Sequence, residues 1–198
     1  GRNYRNEGID TRHNPEFTMM ESYQAYGNFP ELISQTKRLL ISITQYCRMH
    51  LPDNVLPFFN KWVENSPYSL SHFAEVTMWS AVLNDCSKAN ISLNMAVDDI
   101  YNIQINDVNN PRLQKIDMKG LLHSLDNCIS VGEKQAVLFE YVAEPFLTED
   151  YRSDDGKHSL PVFITEFPKE ISPLARTNDH KTNTVERFEL YIDGRELA

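Results

Sequence analysis

The sequence predicts an α+β fold, an antiparallel β-sheet with helices packed behind it. Three observations predict it. Residues 1–27 read as two strands joined by a polar loop. Residues 28–51 repeat apolar side chains at three- and four-residue steps, the period of one helix face. Residues 186–198 alternate about Asp193-Gly194, a dipeptide that closes a two-residue hairpin.

In the opening stretch the turn lies between Asp10 and Pro15, where Asp, Thr, Asn and Pro reverse a chain through local hydrogen bonds or a fixed φ. Alternation then gathers the odd positions on one face. The first arm contributes Asn3, Arg5 and Glu7, and the second contributes Phe17, Met19, Glu21 and Tyr23. A guanidinium, two carboxylates, a phenol and an aromatic ring are too polar a set for a core. They make a binding floor.

Asn28 is placed to cap the long helix, with Pro30 in its first turn. Its apolar stripe includes Phe29, Leu32, Ile33, Leu39, Leu40 and Ile43, and its expected job is to cover the back of the sheet. Pro52 and Pro57 are expected to end it. Beyond them the pattern predicts a short strand over 68–73 and a helix over 78–85 capped by Thr77. Residues 87–111 are rich in Asn and Asp and carry no assigned element. Helices over 118–125 and 134–146 complete a helical middle spanning 28–147.

A polar loop, residues 148–159, leads to a strand over 160–167 and to the segment Pro168-Lys169-Glu170-Ile171-Ser172-Pro173. The prolines fix a loop there, and Glu166 and Lys169 are equally open to shaping it or touching a substrate. In the closing hairpin, Tyr191 faces Glu196 and Ile192 faces Arg195. Phe188, Leu190 and Ile192 share the apolar face, while Glu189, Tyr191 and Glu196 share the other. Glu189 and Glu196 are then diagonal neighbours, about 7 Å apart or less along the backbone. Two carboxylates at that reach suit magnesium shared with phosphate oxygens. Spacing alone favours two solvated glutamates on an exposed strand over a metal site.

With 198 residues the chain can bury one substantial core, so a single domain, 1–198, is expected. A net charge of −9 argues against a broad nucleic-acid platform. Cys47, Cys86 and Cys128 are far apart with no CxxC, a spacing that suggests neither a disulfide framework nor a zinc site and fits a reducing cytoplasm. No apolar run approaches the roughly 20 residues that span a bilayer, so no membrane partner is expected. The other histidines, among them His50, His72 and His123, show no metal spacing. Both ends fall inside strand patterns, and the chain reads as a piece of a longer protein.

Two stretches carry a family resemblance. Tyr4-Arg5-Asn6-Glu7-Gly8, His13-Asn14-Pro15-Glu16-Phe17-Thr18, Glu21, Tyr23 and Ala25-Tyr26 resemble motif 2 of class II aminoacyl-tRNA synthetases in its lysyl form. The runs TEFPKEISPLAR and ERFELYIDGRE resemble the lysyl-enzyme segment that enters the active site and the strand that holds its metal. The resemblance is specific over residues 1–29 and 160–198, and topological between them. It implies a partial catalytic domain: motif 2 hairpin 1–27, helical middle 28–147 and active-site strands 160–198. Motifs 1 and 3 and the anticodon-binding domain are then expected outside this stretch.

The implied chemistry is ATP-dependent activation of lysine to lysyl-adenylate, then transfer to tRNA(Lys). In-line attack on the α-phosphate needs positioning and charge neutralisation, not a covalent nucleophile. By resemblance Arg5 is the catalytic, α-phosphate-binding residue. Glu7 receives the adenine amino group, Phe17 stacks on adenine, and His13 and Asn14 lie near the nucleotide. Glu21 and Tyr23 belong to the lysine pocket, and Glu189 and Glu196 hold ATP-bound Mg2+. A cytoplasmic homodimer is implied. Without the resemblance, Arg5 with Glu7 reads as a surface ion pair and Phe17 as core. A lysine ligase that modifies a protein, and a non-catalytic nucleotide-binding or interaction module, are the rival readings.

Overall fold

The computed structural model describes residues 1–6, 14–96 and 99–197. Strands β1 (Arg2–Tyr4) and β2 (Glu16–Thr18) form an antiparallel ribbon in which Asn3 opposes Phe17. The pairing extends past the strand ends, where the Arg5 amide donates to the Pro15 carbonyl and the Met19 amide to that of Gly1, both at 2.9 Å. Odd residues oppose odd residues, as the alternation predicts. The ribbon stands as its own two-stranded sheet.

Helix α1 (Phe29–His50) begins where expected: the Asn28 side chain accepts from the Glu31 amide at 2.9 Å. Such a cap contributes about 1 kcal/mol. Pro57 departs from expectation. It lies in the first turn of a second helix, α2 (Leu56–Glu64), rather than ending the first. Proline is well placed there because its missing N–H has no partner to lose in a first turn.

The strand expected over 68–73 lies later, as β3 (Ala74–Thr77), and Tyr68 meets Ser159 in an isolated parallel bridge. Thr77 caps α3 (Met78–Lys88), its hydroxyl oxygen accepting from the Ser80 amide at 3.1 Å. In the stretch without an assigned element, β4 (Ile91–Ala96) and β5 (Asp99–Ile105) form a bulged antiparallel hairpin. Helix α4 (Met118–Asp126) matches expectation. The helix expected over 134–146 starts earlier, as α5 (Val131–Leu138), because Ser130 and Glu133 form a reciprocal capping box. It then widens to a π-turn over Phe139–Ala143, tightens to a 3-10 turn over Glu144–Phe146, and ends in the short α6 (Leu147–Asp150). Pro145 explains the break: it lacks the N–H and collides with the preceding turn.

The main sheet has the order β3, β6 (Val162–Thr165), β7 (Phe188–Ile192), β8 (Arg195–Glu196). It is mixed rather than wholly antiparallel, because β3 runs parallel to β6. Its two faces bury different partners. Phe163 and Leu190 pack with Ile33 under α1, joined by Phe29, Leu40, Phe73, Phe188 and Ile192. Val162, Ile164 and Tyr191 face the larger core built from α3, α4, α5 and the π-turn. Each fully buried Phe or Leu contributes about 1.5–3 kcal/mol. The long helix thus covers the back of the sheet through Phe29, Ile33 and Leu40, whereas Leu32, Leu39 and Ile43 of the predicted stripe are exposed. The polar face of β7 and β8 lies on the front.

Candidate active site

The site is assembled at the front of the closing hairpin. Asp193 and Gly194 turn the chain with φ of +52° and +69°, the left-handed pair that matches strand twist. Tyr191 opposes Glu196 and Ile192 opposes Arg195 in the expected register. Glu189, two residues before Tyr191, is therefore a diagonal neighbour of Glu196.

The two glutamates differ in environment. The Glu189 side chain is only 13% exposed, whereas Glu196 is open to solvent. Burial pushes the Glu189 carboxyl up, with the Glu196 charge pushing the same way, while the Tyr191 hydrogen bond and the Arg187 charge pull it down. The Tyr191 hydroxyl donates to Glu189 Oε2 at 2.8 Å. The Arg187 guanidinium pairs with Glu189 Oε1. Burial, then the Glu189 charge, raises the Tyr191 phenol, so it stays protonated as a donor.

This donor set fits magnesium. Carboxylate oxygens are the hard ligands Mg2+ prefers, and two of them leave positions for phosphate oxygens and water. Among the described residues no group of three or more His, Cys, Asp and Glu side chains gathers as a metal cage.

On the opening ribbon, the Arg5 guanidinium carbon lies 5.2 Å from the Phe17 ring centroid. The register makes this contact, since both side chains leave the same face. A planar cation beside a half-exposed ring offers a fork for phosphate oxygens next to a surface for a purine. Asn14 has a local role: its Oδ1 accepts from the Glu16 amide at 3.2 Å and turns the chain into β2. Glu21 and Tyr23 are exposed, Tyr23 at 92%, and no pocket surrounds them among the described residues. Glu7 and His13 lie outside the described residues. The ribbon and the closing hairpin are in separate sheets.

Several residues around Glu189 escape prediction from the sequence. Arg187, Ser172 and Phe167 join the site from the loop after β6: Arg187 Nη1 donates to Ser172 Oγ at 2.7 Å, and its guanidinium lies 4.8 Å over Phe167. The signal for Arg187 is its alternation with Glu189, two positions on. Ser172 and Phe167 carry no such signal, because a loop has no period. Glu166 is tied to its own loop. It stands at φ +58°, and both its carboxylate oxygens accept from Lys181 Nζ, at 2.5 and 2.7 Å.

A family model described as tRNA synthetases class II (D, K and N) matches residues 1–198. Lysine–tRNA ligases of Pseudomonas fluorescens, Ectopseudomonas mendocina and Pseudomonas aeruginosa are each 35% identical to this chain over 199 aligned positions. Each alignment covers 100% of this chain and 33% of the relative. The chain thus spans about a third of the length of the curated relatives it matches.

Proposed function

We propose, since this chain belongs to the class II tRNA synthetases of the aspartate, lysine and asparagine group, that it forms the ATP- and lysine-binding part of a lysine–tRNA ligase. The observation that carries the lysine reading is the end-to-end likeness, at 35% identity, to proteins bearing that name. The geometry supports it with Arg5 beside Phe17 on one hairpin and Glu189 diagonal to Glu196 on the other.

In this reading a lysine carboxylate oxygen attacks the α-phosphorus of ATP. One oxygen–phosphorus bond forms, the bond to the β-phosphate bridge breaks, and pyrophosphate leaves with its electron pair. Arg5 grips the α-phosphate oxygens, whose charge rises as the attacking oxygen arrives. Phe17 stacks on the adenine, Glu7 accepts from its amino group, and His13 and Asn14 border the nucleotide. Glu21 and Tyr23 receive the lysine ammonium. Glu189 and Glu196 would hold Mg2+, which would neutralise charge on the outer phosphates. The lysyl group then passes to the 3′ end of tRNA(Lys). The working form is a homodimer in the cytoplasm, and no helix of the described residues is long and apolar enough to cross a membrane.

The test is exchange of labelled pyrophosphate into ATP by the protein that contains this chain. Exchange should require lysine, and Arg5→Ala should slow it about a hundredfold without changing the melting temperature. Exchange driven by aspartate or asparagine would refute the specificity, and exchange with no amino acid would refute the reaction.

A further inference from the structure

Glu189 is held from two sides, and each holder is itself held. Its two carboxylate oxygens have different partners, Arg187 on Oε1 and the Tyr191 hydroxyl on Oε2. Tyr191 is 3% exposed and meets Phe139 of the π-turn edge-on at 6.1 Å, so its hydroxyl has no room to leave. Arg187 is anchored by the buried Ser172 and by the Phe167 ring. Glu196, on the two-residue strand β8, is exposed, and its side chain makes no hydrogen bond to another described residue.

We propose that Arg187 and Tyr191 are positioning residues that fix Glu189 as the immobile carboxylate of the metal site, and that the loop from Phe167 to Ser172 acts on that site through Arg187. The inference rests on the reading of Glu189 and Glu196 as magnesium carboxylates. A free glutamate on a strand rotates about three bonds and presents its oxygens in many directions. Here a partner on each oxygen selects one direction and leaves a second lone pair on each for a cation. Outer hydrogen-bond partners of this kind orient metal ligands and shape their affinity. The asymmetry divides the labour: Glu189 sets where the cation sits, and the mobile Glu196 closes on it.

Arg187 has one rival role, as a cation that occupies the metal's place and is expelled when the metal arrives. The two roles predict opposite signs. A positioning arginine, when altered, weakens metal binding; a competing one, when altered, tightens it. Arg187→Lys keeps the charge and loses the planar fork, so it isolates geometry from net charge.

The experiment is Mn2+ binding in the presence of ATP, followed by the electron paramagnetic resonance of free Mn2+. Glu189→Gln and Glu196→Gln should each abolish the tight site. Tyr191→Phe, which removes one hydroxyl, and Arg187→Lys should each weaken it about tenfold, the low end for outer-shell partners. Ser172→Ala should weaken it in the same direction by less. If Glu189→Gln removes the site while Tyr191→Phe and Arg187→Lys bind Mn2+ as tightly as the parent or more tightly, the positioning role is wrong and the metal site stands. If neither glutamine variant alters Mn2+ binding, the metal reading falls and the positioning role with it. Circular dichroism of each variant separates these outcomes from misfolding, and Tyr191→Phe carries the test if Arg187→Lys unfolds.

Discussion

Asp85, 1% exposed, lies beneath the Arg112 guanidinium, which also reaches Asp150 at 2.6 Å. Lys88 closes the cluster from the same helix, 2.8 Å from Asp150, and Tyr151 stands beside it. Burial, then the Asp150 hydrogen bond and charge, pushes the Asp85 carboxyl up to about 7. The folded value thus lies above the unfolded one of about 3.9. Its stabilising contribution is therefore fully present below the unfolded value and is lost as pH rises through about 7. Asp150 is shifted down: burial opposes that shift, and the Lys88, Asp85 and Arg112 contacts drive it. It therefore titrates in a lower, acidic window. The melting temperature should fall between pH 5 and pH 8, and Asp85→Asn should flatten that slope by removing the charge. An unchanged slope in Asp85→Asn would assign the titration elsewhere. None of this cluster is legible in the sequence, because its members come from residues 85, 112 and 150, joined only by the fold. Glu189 and Glu196 are legible, because one turn and strand alternation bring them together.

At the scale of elements, the loop that anchors Arg187 depends on a glycine two elements away. Gly132, in the first turn of α5, has no room for a Cβ: one built there would lie 2.4 Å from Glu170 Oε2 and 2.7 Å from Pro168 Cβ. The helix and the 3-10 turn Lys169–Ile171 touch through that missing atom. Gly132→Ala should push the turn outward and cost about 1–3 kcal/mol in urea unfolding, and it should disturb the adjoining Phe167 and Ser172. A variant as stable as the parent would mean that the contact yields freely. Elements with strong local signals were predictable: Asn28 and Thr77 announce helices, and Asp193-Gly194 announces a hairpin with its register. Where the signal is shared, prediction slipped. Pro57 serves as helix breaker or helix starter, and Pro145 disguises three successive turn geometries as one amphipathic run. In β4 and β5 the interleaved Asn and Asp residues conceal the strand alternation, which left that hairpin unassigned.

For the molecule as a whole, the helices that follow β3 pack on the front of the sheet, against the face that carries Glu189 and Tyr191. The long first helix packs on the back. The sequence reading identified which residues of β7 face which way but not what would meet them, because packing partners distant in the chain leave no periodic trace. The same distance explains the one parallel pairing. Local turns make antiparallel neighbours, so the parallel pairing of β3 with β6 carries no turn signal.

That seam sets an order of events in time. Strands β6, β7 and β8 follow one another along the chain, so their pairing closes comparatively short loops. The β3–β6 seam joins Ala74 to Val162 and can close only after everything between has been gathered. Refolding should therefore protect the amides of the closing hairpin from hydrogen exchange before those of the seam. Glu189 and Glu196 would then stand on the earlier-forming part of the sheet, and β3, on the far side of β6 from them, would be the last strand to dock.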